Sequence, residues 1–377
     1  MPKKLRVGVM MGGRSGEHEV SVVSASSVIK ALNKDKYDVV SIGITKTGQW
    51  ISGPGTVESL KAGMSNQQLA EKILLPDPNH QSLVSLKPDG LAAETALDVV
   101  IPLIHGTYGE DGKLQGLLEM ANLPYVGCGV LGSAVGMDKV IMKNLFRQAG
   151  LLTPDFVLVL KKDWLAGELE VLKTVAAELT YPVFVKPANL GSSVGISKVK
   201  DPAGLSRALA EAFKYDRRAI VEKSIENNRE IECAVLGNDE PEASVPGEII
   251  PHHEFYSYEA KYVDENGAGL AVPAKLDEPV VRKIQELSLT AFKALDLSGM
   301  ARVDFLLDPA GRIYLNEVNT VPGFTKISMY PKLWQASGLP YDKLIDRLIE
   351  LALARHQEKN ALKTSFDDID AGWQANY

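Results

Sequence analysis

Apolar positions along the chain switch between two periods. The run "LRVGVMM" (5–11) is apolar without alternation, as a strand covered on both faces would be. A turn-rich loop "GGRSGEHE" follows, then "VSVVSASSVIKAL" with helical spacing, then the strand-like "YDVVSIGIT". The theme returns in "LDVVIPLIHG" (97–106), a loop, and the helical "LQGLLEMANL". Residues 1 to about 125 therefore predict an open α/β domain with parallel strands. The stretch 51–90 is polar and rich in Gly, Pro, Ser and Asn, which predicts an insertion or loosely ordered excursion.

Residues 126–220 change pattern: a helix "GMDKVIMKNLFRQAG", strands "DFVLVLK" and "YPVFVKPA", a loop "NLGSSVG", a strand "ISKVK" and a helix "PAGLSRALAEAFKY". This predicts a small α+β lobe. A third region, 221–362, opens at "RAIVEKSI" and continues through a Tyr-rich segment with little periodicity at 252–275, a helix at 278–295 and two paired strands. The tail 363–377 has no periodicity and predicts loose attachment.

The paired strands carry the first chemistry. "ARVDFLLDPAGRIYLNEVN" reads as a hairpin turning at Asp308-Pro309-Ala310-Gly311. With Leu307 opposite Arg312, Asp304 falls opposite Leu315 and Arg302 opposite Glu317, so Arg302, Asp304, Glu317 and Asn319 share one face. Three oxygen donors with no His or Cys suit a hard cation such as Mg2+ shared with phosphates, which implies a nucleotide. A solvated sheet face with a surface Arg–Glu pair would show the same pattern.

Three further stretches bear on that choice. In "VFVKPANLGSSVG" Lys186 ends a strand before a Gly-Ser-Ser loop, a point charge beside free backbone N–H groups for phosphate oxygens. Lys139 starts a helix in "GMDKVIMK", and "IVEKSI" ends a strand with Glu222 and Lys223, placed to read an adenine edge at a hinge. Each has a plain alternative: a flexible turn, a surface lysine, a charged strand end. Their order is that of ATP-grasp enzymes, which the chain resembles.

The segments "GGRSGEHEVS" (12–21), "HGTYGEDGKLQG" (105–116), "NREIECAVLGN", "FYSYEAKY" (255–262), "NTVPGFT" (319–325) and "ISMYPKLWQASG" further resemble the D-alanine–D-alanine ligase family, from about residue 4 to 362. The resemblance implies an amino-terminal open parallel α/β domain followed by a two-lobed ATP-grasp fold. It also implies ATP-dependent joining of two D-alanines through a D-alanyl phosphate, for cell-wall precursor synthesis. Asp304, Glu317 and Asn319 are then the Mg2+ ligands, for two ions, with Mn2+ as a substitute. Lys139, Lys186 and Lys261 face the phosphates, and Ser193, Glu222, Lys223, Ile225, Glu230 and Asn316 complete the nucleotide site.

Arg302 and the Gly323 backbone N–H would face the developing oxyanion. Glu17 would bind the ammonium of the first D-alanine and, with Ser192 and Tyr262, tie the 252–275 lid to the amino-terminal loop. Ser328 and the backbone at Met329 would hold the second carboxylate, and His105 would lie near the substrates, with Glu110 as a scaffold carboxylate and Tyr108 lining the first substrate pocket. In this family a Tyr at 262 accompanies the amide product, whereas relatives forming the D-alanine–D-lactate ester carry another residue there.

Two rival readings differ in class. A dinucleotide-binding oxidoreductase fits the opening strand–glycine loop–helix, but "GGRSGEH" departs from G-x-G-x-x-G and no acidic residue ends "YDVVSIGIT" to hold a ribose. A non-catalytic nucleotide binder would tolerate loss of ligands that are all present. A net charge of −7 and a pI near 5.5 argue against nucleic-acid or anionic-membrane partners. Cys128 and Cys233 have no pairing or zinc spacing, and no apolar run reaches the roughly 20 residues of a membrane helix. The expectation is a cytoplasmic enzyme with small-molecule substrates, D-alanine and ATP. The resemblance adds a homodimer through the amino-terminal domain.

Overall fold

The structure is a computed structural model that describes residues 3–63, 70–87, 90–191, 194–251 and 268–364. The first sheet holds β1 (Leu5–Gly12), β2 (Tyr37–Ile44), β3 (Trp50–Ser52), β4 (Ala70–Leu74), β5 (Ser82–Lys87), β6 (Gly90–Ala96) and β7 (Val99–Pro102) in the order 6-5-4-3-2-1-7. β1 lies between β2 and β7, parallel to both, and its run from Val7 to Met11 is covered on both sides. The helix His18–Ala31 lays Val22, Ala25 and Val28 on one of those faces.

Residues 51–90 are not an excursion: β3 pairs antiparallel with β2, and β4, β5 and β6 follow it in turn, each antiparallel to the one before. Leu74 and Leu83 pack beside Ile42 and Ile44 on one face while Ile51 joins the core of β1 on the other, but these apolar residues are few and sit among turn formers, so the pattern reads as loop.

The second sheet comprises β8 (Phe156–Leu160), β9 (Val183–Pro187), β10 (Ser197–Val199) and β11 (Arg218–Lys223) in the order 10-9-11-8. The helices Glu168–Glu178 and Leu205–Ala212 cover it through Val175 and Leu209. The first of these was not legible, nor was Val130–Met137, a separate helix that ends where Asp138 caps the next one, Lys139–Gln148. Asp138 accepts from the N–H groups of Val140 and Ile141, so the expected single helix starts there rather than at Gly136.

The third sheet contains β12 (Arg229–Gly237), β13 (Glu242–Ala243), β14 (Gly247–Pro251), β15 (Ala268–Ala271), β16 (Gly299–Leu307) and β17 (Ile313–Asn319), ordered 15-14-12-16-17 with β13 on the end of β12. Alternation along β16 sends Ala301, Val303 and Phe305 beneath the helix Glu278–Ala294. Met300 points the other way, into a core it shares with Val7 and Val9 of β1 and with Leu344 and Leu348 of the long helix Tyr341–Asn360. Arg302 and Asp304 continue that second face beyond the apolar core. Two polar residues thus emerge where three layers meet.

The helix Tyr341–Asn360 ties the amino-terminal sheet to the third one. Arg355 donates to the carbonyls of Tyr125 (3.0 Å) and Gly127, lies 4.5 Å from the centre of the Tyr125 ring, and reaches Ser298. His356 Nε2 is 2.9 Å from Asn122 Oδ1. Asp346 accepts from Tyr37 Oη (2.8 Å) and Lys36 Nζ (2.7 Å). Burial alone would raise the Asp346 pKa, but the Lys36 ammonium and the Tyr37 hydroxyl outweigh it and hold the carboxyl below its usual range.

A depressed folded-state pKa contributes stability that is present above the unfolded value and lost as pH falls through the folded one. Asp346→Asn is therefore expected to cost about 1–2 kcal/mol near pH 7, because a partly buried charge-assisted bond is replaced by a neutral one. Urea midpoints should show the gap between variant and parent closing below pH ~4; a gap independent of pH would remove the ionic part of this tether. Cys128 and Cys233 are free thiols, both buried. Among the described residues no helix is long and apolar enough to cross a membrane.

Candidate active site

The hairpin of β16 and β17 does not keep the register that its sequence suggests. Leu307 pairs with Ile313 and Phe305 with Leu315, but beyond a bulge Asp304 pairs with Glu317 and Arg302 with Asn319. Asn316 is the extra residue. Carried on without it, the near-turn register would set Asp304 against Asn316 and Arg302 against Val318, turning Glu317 and Asn319 to the opposite face. The four residues share a face, as expected, but through the bulge rather than through the expected pairing of Leu307 with Arg312.

Arg302 donates to both carboxylate oxygens of Asp304, at 2.8 and 2.7 Å, and lies 3.1 Å from Glu232. Burial opposes its charge, yet Asp304 and Glu232 outweigh that and fix the guanidinium as a permanent cation. Glu232 faces Asp304 across β12 and β16 and was not singled out in the sequence; its alternation with Glu230 in "REIEC" was the only signal. Glu317 is 3.8 Å from Lys139, and Asn319 Oδ1 accepts from the Val321 N–H. Among the described residues no three of His, Cys, Asp or Glu converge as a closed metal cage. Two carboxylates and an amide suit a hard cation that draws its remaining oxygens from phosphates.

Opposite this face stand the lysines. Lys139 Nζ donates to the Leu190 carbonyl at 2.6 Å, which places the start of the glycine loop over β17. Lys186, on β9, lies 3.5 Å from Glu222 on its neighbour β11, whose other oxygen is 3.3 Å from Lys143. Glu222, expected to read an adenine edge, lines the cleft, and its carboxylate, 2% exposed, lies between these two ammonium groups. Lys143 was not foreseen, because its helical position looks like a surface one. Burial pushes its pKa down to about 8.

Apart from Lys143, which lies behind the wall, these groups line a cleft of about 1250 Å3. That exceeds the usual 300–1,000 Å3 of a single-ligand pocket and leaves room for a nucleotide beside small substrates. Lys223, Ile225, Glu230 and Asn316 line one part of the cleft, and Gly323, Ser328 and Met329 another. Ser328 stands at the start of the helix Met329–Ala336, with its Oγ 2.8 Å from Thr325 Oγ1, and a Cβ added to Gly323 would lie 3.2 Å from that Oγ.

Glu17 reaches the cleft from the amino-terminal sheet, just before the helix His18–Ala31. Its Oε2 lies where a Cβ on Gly106 would stand at 2.6 Å and one on Gly191 at 3.2 Å, so it sits between the His105 loop and the glycine loop. His105, 3% exposed, places Nδ1 3.0 Å from the Val321 carbonyl and 3.3 Å from Glu110, with Nε2 3.2 Å from Ser24 Oγ. Burial pushes against its charge, but the Glu110 carboxylate prevails and raises its pKa; burial raises that of Glu110 as well. Tyr108 does not line the cleft. It adopts a left-handed backbone (φ 70°), is about half exposed and lies between Arg14 and Lys113. Ser192, Ser193, Lys261 and Tyr262 lie outside the described residues.

Two family models match the chain: the D-ala D-ala ligase N-terminus over residues 6–128 and the D-ala D-ala ligase C-terminus over residues 145–350. The chain belongs to the D-alanine–D-alanine ligase family. It shares 54% identity over 370 residues with a D-alanine–D-alanine ligase of Geobacillus thermodenitrificans, covering 97% of this chain and 100% of the relative. The solved D-alanine–D-alanine ligase from Coxiella burnetii superposes with a TM-score of 0.81 at 40% identity, over 95% of this chain and 96% of that one. The VanG D-Ala:D-Ser ligase from Enterococcus faecalis gives 0.83 at 37% identity, over 93% and 100%. The chain is thus an ATP-dependent ligase with the ATP-grasp fold of this family, and the oxidoreductase reading falls.

Proposed function

We propose that the protein joins two D-alanines into D-alanyl-D-alanine, converting ATP to ADP and phosphate through a D-alanyl phosphate. The observation that supports it best is the facing of Arg302, Asp304, Glu317 and Asn319 by Lys139 and Lys186 across a cleft in a chain of this family. Asp304, Glu317 and Asn319 would hold Mg2+, two ions with Mn2+ as a substitute, and the metal supplies charge neutralisation at the transferring phosphoryl group. Lys139 and Lys186, with Lys261, spread positive charge over the phosphates; Lys223, Ile225, Glu230 and Asn316 hold the rest of the nucleotide, and Ser193 a phosphate.

Glu17 receives the ammonium of the first D-alanine, with His105 beside it. Ser328 and the Met329 N–H receive the carboxylate of the second. Arg302 and the Gly323 N–H stabilise the oxyanion formed when the second amine attacks. Ser192 and Tyr262 link the lid of 252–275 to Glu17 and exclude water. The protein works in the cytoplasm as a homodimer through its amino-terminal domain, with units at 1–125, 126–220 and 221–362.

The test is mass identification of products from Mg-ATP with D-alanine alone, with D-lactate or D-serine added, and with L-alanine. D-alanyl-D-alanine with stoichiometric phosphate from D-alanine alone, persisting over mixed products when D-lactate or D-serine is present, supports the reading. Dominant ester or D-alanyl-D-serine would replace it by another ligase of the same fold.

Gly106→Ala tests Glu17. The new Cβ would press on the Glu17 carboxylate and must adopt a φ of +77°. A displacement near 1 Å should lower kcat/KM for D-alanine about 10²-fold while the KM for ATP moves little. Equal losses for both substrates would argue against the assignment.

A further inference from the structure

Lys143 is a buried ammonium that the cleft does not contain. It is 1% exposed on its side chain, and unlike Lys139, one helical turn before it, it is absent from the cleft wall. Its Nζ donates to the Asn316 carbonyl at 2.6 Å, and its second neighbour is Glu222 at 3.3 Å. Asn316 is the bulge residue of β17, and a carbonyl displaced from the strand ladder needs a donor when it is buried.

The helix Lys139–Gln148 grips three consecutive positions of β17. Lys143 takes the Asn316 carbonyl, Lys139 lies 3.8 Å from Glu317, and Met142 Sδ accepts from the Val318 N–H at 3.4 Å. Losing the bulge shifts the strand by one residue, which carries Glu317 and Asn319 away from Asp304 and Arg302. On its other side Lys143 holds Glu222, itself 3.5 Å from Lys186 of the small lobe.

We propose that Lys143 is a positioning residue that pins the Asn316 bulge, so that the metal-ligand strand keeps the register in which Glu317 and Asn319 face Asp304. It touches no substrate. The inference rests on the metal and nucleotide reading of the cleft given above.

The experiment compares Lys143→Met, which keeps the length of the chain and removes the donor, with the double variant Lys143→Met/Glu222→Gln, which also removes the carboxylate left behind. Thermal midpoint, Mn2+ affinity of the ADP-bound protein by electron paramagnetic resonance, and the Mg2+ concentration for half-maximal turnover are read for both. Lys143→Met should lower the midpoint and weaken Mn2+ binding at least tenfold. The double variant should regain much of the midpoint without regaining Mn2+ affinity, because the bulge carbonyl still lacks its donor.

Recovery of both would reduce Lys143 to a counter-ion for Glu222 and overturn the proposal, as would Mn2+ affinity within twofold of the parent in either variant. If Lys143→Met does not fold, the double variant and Lys143→Gln, whose shorter amide cannot span to Asn316, decide by the same Mn2+ measurement. A parent protein that binds Mn2+ and ADP but makes no D-alanyl-D-alanine would sink the ligation reading and leave this one open to the same comparison.

Discussion

Glu317→Gln is expected to lower ligase turnover by about 10³-fold or more while the protein stays folded. Glu317 sits on a polar strand face, its side chain is one-third exposed, and Lys139, 3.8 Å away, is also bonded to the Leu190 carbonyl. Its replacement therefore falls where water can reach. What it takes away is one of two carboxylates that face each other across the bulged hairpin, and an amide is a far weaker ligand for a hard cation. Phosphate release at rising Mg2+ is the assay, with thermal unfolding as the control. Turnover within threefold of the parent would remove Glu317 from the metal site.

Arg302→Lys comes next, with an expected loss of about 10²–10³-fold in kcat and a small change in the KM for ATP. The guanidinium makes two parallel bonds to Asp304 and keeps Glu232 at 3.1 Å, a fork that a single ammonium cannot reproduce. Lys is the variant to use, because Ala would leave Asp304 and Glu232 buried without a counter-charge, a loss of about 3–5 kcal/mol that would obscure the chemistry. A kcat near that of the parent would mean that Arg302 is a structural counter-ion for two acids.

Where a strand is covered on both faces or a helix on one, its residues announce it: β1, β2 and the helices His18–Ala31 and Glu278–Ala294 were legible as periods. The sheet extension β3 to β6 was not, since its strands are short, carry few apolar residues and lie between turn formers, too little to set a period. The site divided the same way. Residues in quoted segments, such as Lys139, Lys186 and Asp304, could be named by order and resemblance, and they line the cleft. Lys143, Glu232 and the true pairing of the hairpin could not. A charged residue on a helix or strand gives no sign that it will be buried, and a bulge is one residue of mismatch that only the partner strand reveals.

The contacts of the helix Tyr341–Asn360 impose an order on synthesis. Asp346 joins Lys36 and Tyr37, Arg355 joins Tyr125 and Gly127, and His356 joins Asn122, so the last described helix completes the packing of the first sheet and of the crossing between them. Until residues 341–360 are made, the amino-terminal sheet lacks these partners, and until residues 302–329 are made Glu17 and His105 lack the opposite wall of the cleft. A nascent chain can begin to fold early, yet its reacting centre joins Glu17 to Met329 and so waits for the third sheet.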